Sequence, residues 1–358
     1  MDDVSFGFQA AAAGEGHESD DELYRDLIDD CALGHKLGYD AAWLLEHHFS
    51  DYYPTPSPLL MMAHIAAKFP DLSLGTSVLV LPWYHPLRLA EEIAMLGTLT
   101  RGTLHLGIGR GTAKMEYDAY NVDMNEGRAR FAEVFQIVEK GLRGDAFTHQ
   151  GRFWNIERPI RVRPDPANAR VRFYGAIGSP ASADVMGDLG VAPICLSTFP
   201  DALLTKILAR WRSRAGDRAK GAILPISVKM FIADTDEEAR ALGRRYYPPY
   251  FALQADHYEA DSNPWADIPE YAEFSRMFAN LRKLTDPAEL GPFLDANLVG
   301  SAQTIGKRID ALAALGFNYV MVSSATPGTP REVRRRMMTR FAEEVCPRYS
   351  SAMRKRVA

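Results

Sequence analysis

Short runs rich in β-branched and aromatic residues alternate along the chain with longer stretches whose apolar positions recur every three or four residues. This is the pattern of strands joined by crossover helices around a parallel sheet. Eight runs read as strands: 4–8 (VSFGF), 41–46 (AAWLLE), 72–81 (LSLGTSVLVL), 103–109 (TLHLGIG), 171–177 (VRFYGAI), 192–197 (APICLS), 224–233 (LPISVKMFIA) and 319–324 (YVMVSS). Eight is the number that closes a (β/α)8 TIM barrel, so the predicted class is α/β, with a single barrel domain over residues 1–358. Helix signals fall between the strands. Ser19 and Glu22 make a capping-box pattern ahead of Leu23, Leu27, Ile28 and Cys31, and Gly38 stops that helix before the second strand. Thr235/Glu238 and Thr329/Glu332 repeat the pattern, the latter with Pro330 at the first helical position, and a last helix from Ser301 ends at Gly316.

One interval breaks this rhythm. Between the seventh strand and the helix at Ser301 the chain carries QADHYEADSNPWADIPE, whose Asp, Asn and Pro content predicts irregular structure. A strand-to-helix connection needs only a few residues, so 240–298 is predicted to be an insertion after the seventh strand, with the position of a lid. A linker to a small C-terminal domain is the competing reading.

With 358 residues, 47% hydrophobic and 24% charged, the chain can bury a large core. A net charge of −5 and the absence of a long basic run leave no footprint for nucleic acid or anionic lipid. The one basic cluster, REVRRRMMTR (331–340), reads as a helix with a solvated face. Cys31, Cys195 and Cys346 are far apart and outside any CxxC, as free thiols in a reducing compartment are. The N-terminus lacks a secretory pattern and no run reaches membrane-spanning length, so a cytoplasmic protein is expected.

Candidate chemistry sits where strands end, because the catalytic groups of a parallel barrel gather at its C-terminal face. WLLEHHF (43–49) ends an apolar run with Glu46, His47 and His48, either as a polar loop or as the edge of an active site. Alternation along the strand end lets only one of the two histidines face the barrel mouth easily, and His47 is the expected one. Ser77 to Leu81, Gly107 to Gly111 and GSPAS (178–182) lie at three other strand ends, and four such ends on one rim favour the active-site reading. EHH lacks the i, i+4 spacing of a zinc helix, with only His85 or His105 as distant partners, so no metal is expected. GIGRGT (107–112) is neither a dinucleotide fingerprint nor a P-loop. Its glycines let backbone approach a flat or anionic ligand, and Arg110 can fork onto a phosphate. GSPAS reads equally as an anion site at a helix start or as a turn with an N-cap serine.

Taken together, GYDAAWLLEHHF, LGTSVLVLPWYHPLRLAEEIAML, GTLHLGIGRG, NVDMNEGRARFAE and GSAQTIGKRIDALAALGFNYVMVSS resemble the bacterial luciferase-like, flavin-dependent monooxygenases, above all the luciferase α subunit. The likeness runs from about residue 4 to about residue 348 and is weakest around 240–298. It implies that His47 is the catalytic histidine beside the flavin, with Glu46 and His48 as its neighbours at the cofactor. It implies a non-proline cis peptide between Ser77 and Val78 under the flavin ring, and a phosphate held by Arg110, Ser179 and Ser182. Gly109 replaces a reactive cysteine of the α subunit beside the flavin, and Gly178 replaces a glutamate near the phosphate. The first departure leaves room for a different substrate, the second removes a charge near the phosphate, and both count against light emission and aldehyde specificity. The activity implied is oxidation of a small, apolar organic substrate by O2 and reduced FMN through a peroxyflavin, in a homodimer supplied with flavin by a separate reductase. Buried rim residues such as Phe6, Phe8, Trp83 and Phe199 would exclude water. A deazaflavin-dependent oxidoreductase and a silent flavin-binding partner subunit are the alternatives.

Overall fold

The computed structural model describes residues 4–351 and 353. Its strands in chain order are β1 (Ser5–Gln9), β2 (Ala41–Leu44), β3 (Ser73–Val80), β4 (Leu104–Gly109), β5 (Phe147–Gln150), β6 (Asn155–Ile160), β7 (Val171–Ala176), β8 (Ala192–Leu196), β9 (Pro225–Ile232), β10 (Leu298–Gly300) and β11 (Tyr319–Ser323). Eight of them, β1-β2-β3-β4-β7-β8-β9-β11, pair in parallel, and β11 returns to β1 through Ser5↔Tyr319 to Phe8↔Val322. The ring is a closed (β/α)8 barrel. Its strands are the eight expected from the sequence, each boundary shifted by two residues at most. The β5–β6 hairpin lies outside the ring and is antiparallel, and the short β10 pairs with the end of β9. The sequence reading lacked both.

Side-chain alternation divides each strand between two environments. Trp43, Tyr174, Ile194, Tyr319 and Met321 point inward and form a buried cluster of their own. Trp43 donates to the Tyr319 hydroxyl at 3.1 Å, and His105 Nδ1 lies 3.0 Å from the Tyr174 hydroxyl. These rings fit because neighbouring strands carry glycine there. A Cβ on Gly7 would stand 2.5 Å from the Tyr319 hydroxyl, and one on Gly75 2.6 Å from the Trp43 indole. The barrel is therefore plugged below and open above.

Phe6 and Phe8 occupy the opposite face of β1. Phe6 packs edge-on to Phe341, and Phe8 packs on Tyr39 beside Gly34, so both belong to the layer between barrel and helices and not to the rim. Their inward neighbours are Gly7 and Gln9.

Helix ends follow the capping chemistry at most of the predicted places. Ser19 and Glu22 exchange both capping-box bonds ahead of the helix Asp20–Leu37, Gly38 terminates it in the left-handed conformation, and Thr235/Glu238 cap the helix Asp236–His257. Thr329 does not cap. Its hydroxyl bonds Thr326 Oγ1 at 2.8 Å, and the helix Arg331–Glu344 starts without a side-chain cap. The helix Asp236–His257 runs on for 22 residues, through Pro248 and Pro249, so the first part of the predicted insertion is regular and the irregular chain starts only after His257. Short 3-10 turns and the helix Gly291–Ala296 follow.

Within the basic cluster the solvated-face reading fails at Arg334, which is fully buried. Its guanidinium lies 3.7 Å from Asp26 and 3.6 Å from Asp30, and it donates to the Ala13 carbonyl. Charge complementarity here docks the last long helix against the first. All three cysteines are buried and free. Among the described residues no helix is long and apolar enough to cross a membrane.

Removing one partner from a buried ion pair leaves the other charge uncompensated. Arg334→Ala should therefore lower unfolding stability in urea by roughly 3–5 kcal/mol. A loss under about 1 kcal/mol, as at an exposed pair, would contradict this reading.

Candidate active site

Above the aromatic plug the ends of seven barrel strands open into a cavity of about 590 Å³, a size suited to a small organic molecule or cofactor. Glu46, His47, Ser77, Val78, Gly109, Arg110, Ser179 and Ser182 all line it. His48 does not. Among the residues expected at the rim, Phe199 lines the cavity, whereas Trp83 lies behind it, stacked on Tyr120. Tyr250, Phe251, Tyr258, Phe278 and Phe293 of the insertion also line it, so 240–298 contributes to the cavity wall.

Glu46 is buried where β2 ends and holds that end in place. It accepts from the Val80 backbone N–H at 2.9 Å and lies 3.1 Å from His48 Nε2, while burial pushes its carboxyl up from the ordinary carboxylate range. His48 has both ring nitrogens engaged, by Glu46 and by the Tyr120 hydroxyl at 3.0 Å, which accounts for its absence from the cavity wall. The Ser77–Val78 peptide is cis. Gly109 faces it: a Cβ there would stand 2.6 Å from Val78 Cγ2, so glycine keeps this wall flat.

His47 is caged by Tyr52, Tyr53, His257 and Tyr258, with ring centroids 4.7 to 6.3 Å away. Burial, then the nearby His257, His48 and Lys229, holds its pKa well below the ordinary histidine value. The free-imidazole value near 6.5 does not apply here. His47 is a neutral ring at neutral pH.

Sequence reasoning missed Glu116 and His257. Glu116 Oε1 accepts from the His48 amide at 2.8 Å and lies 3.5 Å from His257 Nε2 and 3.9 Å from His47 Nδ1. Burial raises the Glu116 carboxyl to about 7 and lowers the His257 imidazole to about 4. One donor atom from each of His47, Glu116 and His257 falls within 4.8 Å of the others, a grouping drawn from distant parts of the chain. An acidic residue inside the buried face of the short helix Lys114–Ala119 was the one local signal.

On the far wall Ser179 and Ser182 place their hydroxyls 3.1 Å apart at the start of the helix Pro180–Leu189. Ser179 accepts from the Ser182 N–H, so the N-cap reading of GSPAS holds while both side chains also face the cavity. Arg110 donates to the Glu270 carboxylate at 3.1 Å and to its carbonyl at 2.6 Å, and lies over the Tyr271 ring. Trp265 Nε1 donates to the Thr112 carbonyl at 2.7 Å. The insertion is thus docked on the GIGRGT loop itself.

Residues 4–319 match the sequence profile of the family described as luciferase-like monooxygenase. The chain belongs to the luciferase-like monooxygenase family. This luciferase-like monooxygenase is 41% identical over 149 residues to the uncharacterized protein y4vJ of Sinorhizobium fredii, a match that spans only 42% of either chain. It is 25% identical over 346 residues to the oxygenase component of flavin-dependent trigonelline monooxygenase of Acinetobacter baylyi, covering 92% of this chain and 91% of the relative. Its fold superposes on the oxygenating constituent of 3,6-diketocamphane monooxygenase of Pseudomonas putida, a structure in complex with FMN, with a TM-score of 0.74 at 20% identity over 96% of this chain and 98% of the other.

The Glu116 carboxyl binds its proton more tightly in the folded state, at about 7, than at its ordinary value of 4.5. Its contribution to stability is present below the unfolded value and is lost as pH rises through the folded one. Glu116→Gln, which keeps an acceptor for the His48 amide, should gain on the order of 2 kcal/mol relative to wild type between pH 5 and pH 8. Parallel stability curves for the two proteins across that range would show Glu116 to be ionised in the fold at neutral pH.

Proposed function

We propose that this chain is the oxygenase of a two-component monooxygenase that binds reduced FMN from a separate reductase and uses O2 to oxidise a small organic substrate. The observation that carries this reading is one cavity with a flat wall at Gly109 and Ser77–Val78, a histidine on a second wall, and a hydroxyl pair with an arginine at the far side. Those residue types fit a flavin phosphate: a pair of hydroxyls at a helix start, together with a guanidinium, favours an anion. The flavin-dependent relative from Acinetobacter and the FMN-containing neighbour support the same assignment.

Bound reduced FMN would supply the two electrons that activate O2. In this reading Ser179, Ser182 and Arg110 hold the phosphate, with Arg110 exchanging or sharing its Glu270 partner. Gly109, Ser77 and Val78 give the ring its surface. Glu46 fixes the end of β2, and His48, locked between Glu46 and Tyr120, positions the adjacent His47. His47, neutral and lining the cavity, accepts or relays a proton, with the Glu116 carboxyl nearest to its Nδ1. Segment 240–298 acts as a lid, its aromatic residues keeping water from the reacting atoms. Homodimer formation belongs to the same proposal. It is supported by the exposed Leu60, Met95 and Leu99 on two helices that pack against each other, Pro58–Lys68 and Pro86–Leu99.

Oxygen uptake with reduced FMN and candidate substrates tests the reading. His47→Ala should retain fold and most FMN affinity yet cut substrate oxidation by roughly 10²–10⁴-fold, with oxygen diverted to hydrogen peroxide. Full coupled turnover in that variant would remove His47 from the chemistry, and turnover with a deazaflavin but not with FMN would replace the cofactor. Arg110→Ala should weaken FMN far more than riboflavin, which lacks the phosphate. Equal losses for both ligands would make Arg110 a structural latch for Glu270.

A further inference from the structure

Lys229 is a second cation in the cavity wall, and the chemistry outlined above does not use it. It projects from β9, opposite Ser323 of β11 in the parallel register, and lines the cavity. Its ammonium donates to Ser323 Oγ at 3.2 Å, the Tyr53 hydroxyl at 3.3 Å and Gln9 Oε1 at 3.4 Å. All three acceptors are neutral and all three bonds are long. The ammonium also lies 4.7 Å from the centre of the Tyr250 ring and 5.6 Å from that of Tyr53.

Among the described residues no carboxylate lies within ion-pair distance of Lys229. The acidic groups of the same cavity are engaged elsewhere, Glu46 with His48 and Val80, Glu116 with the His48 amide, and Glu270 with Arg110 and Arg128. The hydrogen bonds of Lys229 are met, but its charge is not. Burying an ammonium without a counter-charge is costly, and here burial pulls its pKa down to about 7, so the amine is only partly protonated at neutral pH and an anion beside it would draw it to the charged form. A hydrophobic residue would fill the position at lower cost. An amine with neutral acceptors and no anionic partner is therefore a specific demand on whatever enters.

The position of that demand separates it from the phosphate site. Arg110, Ser179 and Ser182 follow β4 and β7, whereas the partners of Lys229 lie on β1 and β11 and in the loop after β2. A single phosphate at the first place leaves the second cation unmatched.

We propose that Lys229 selects the substrate: the organic molecule oxidised here carries a carboxylate, held by Lys229, on an apolar or aromatic body that packs against Tyr53 and Tyr250. The inference rests on the flavin reading only in assigning the Arg110 side to phosphate. It narrows the substrate class to small organic acids.

The test is a calorimetric titration of a matched pair, benzoate and benzamide, into wild type, Lys229→Met and Lys229→Arg, each with and without saturating FMN. Wild type should bind benzoate about tenfold or more tighter than benzamide, the scale of a charge-assisted hydrogen bond. Lys229→Met should lose that preference, and Lys229→Arg, which restores the charge, should regain much of it. Equal binding of the two probes by wild type would overturn the proposal. So would a preference that survives in Lys229→Met, or a wild type without preference whose FMN affinity falls in that variant, which would give Lys229 to the flavin. A Lys229-dependent benzoate preference in a protein that binds no FMN would uphold this assignment while sinking the flavin reading. FMN binding with no such preference would do the reverse.

Discussion

Everything above the middle of the barrel depends on how its lower half is filled. Trp43, His105, Tyr174 and Tyr319 meet across the axis, with Trp43 and His105 each hydrogen-bonded to a tyrosine hydroxyl, and Gly7 and Gly75 yield the space. Aromatic rings of this size bury much surface and tolerate few arrangements, so the plug sets the spacing of the strands around it. The floor of the cavity is the top of that plug. Strand ends that would otherwise close on one another are held apart, and the side chains just beyond them become a site.

That site concentrates charges that a plain core would not hold. Glu46, Glu116, His47, His257 and Lys229 all have pKa values displaced against their charged forms, and burial is the largest cause in each. Elsewhere the chain pays for burial with pairing, as Arg334 does between Asp26 and Asp30. Around the cavity the compensation is incomplete, which is the usual mark of groups kept for a ligand or a reaction. The insertion adds aromatic side chains to the wall of this cavity, and its Trp265 and Glu270 contacts hold it against the GIGRGT loop.

The barrel was legible because each of its strands is a short, mostly apolar run between helical stretches, and because glycines and capping boxes mark where helices stop and start. The β5–β6 hairpin was not, since FTHQ and NIERPI are short, mostly solvent-facing and without an apolar stripe. The start of the insertion's long helix was legible at Thr235/Glu238, but its length was not, because Pro248 and Pro249 are residues that ordinarily break a helix and Asp- and Asn-rich chain follows it. At the site, residues next to strand ends could be named from the sequence. Glu116 and His257 could not, because Glu116 meets the His48 amide across 68 residues and His257 meets Ser50 across 207. The displaced titration of His47 was hidden for the same reason: its causes are neighbours supplied by the fold.

The central claim is that the cavity above the plug is a flavin site with its phosphate at the β4–β7 side. A crystal structure of the protein soaked with FMN tests it most directly. The phosphate should lie among Arg110, Ser179 and Ser182 and the ring system against Ser77–Val78, with His47 at its edge. FMN found outside this cavity, or lying in it with its phosphate at Lys229, would rule this site assignment out.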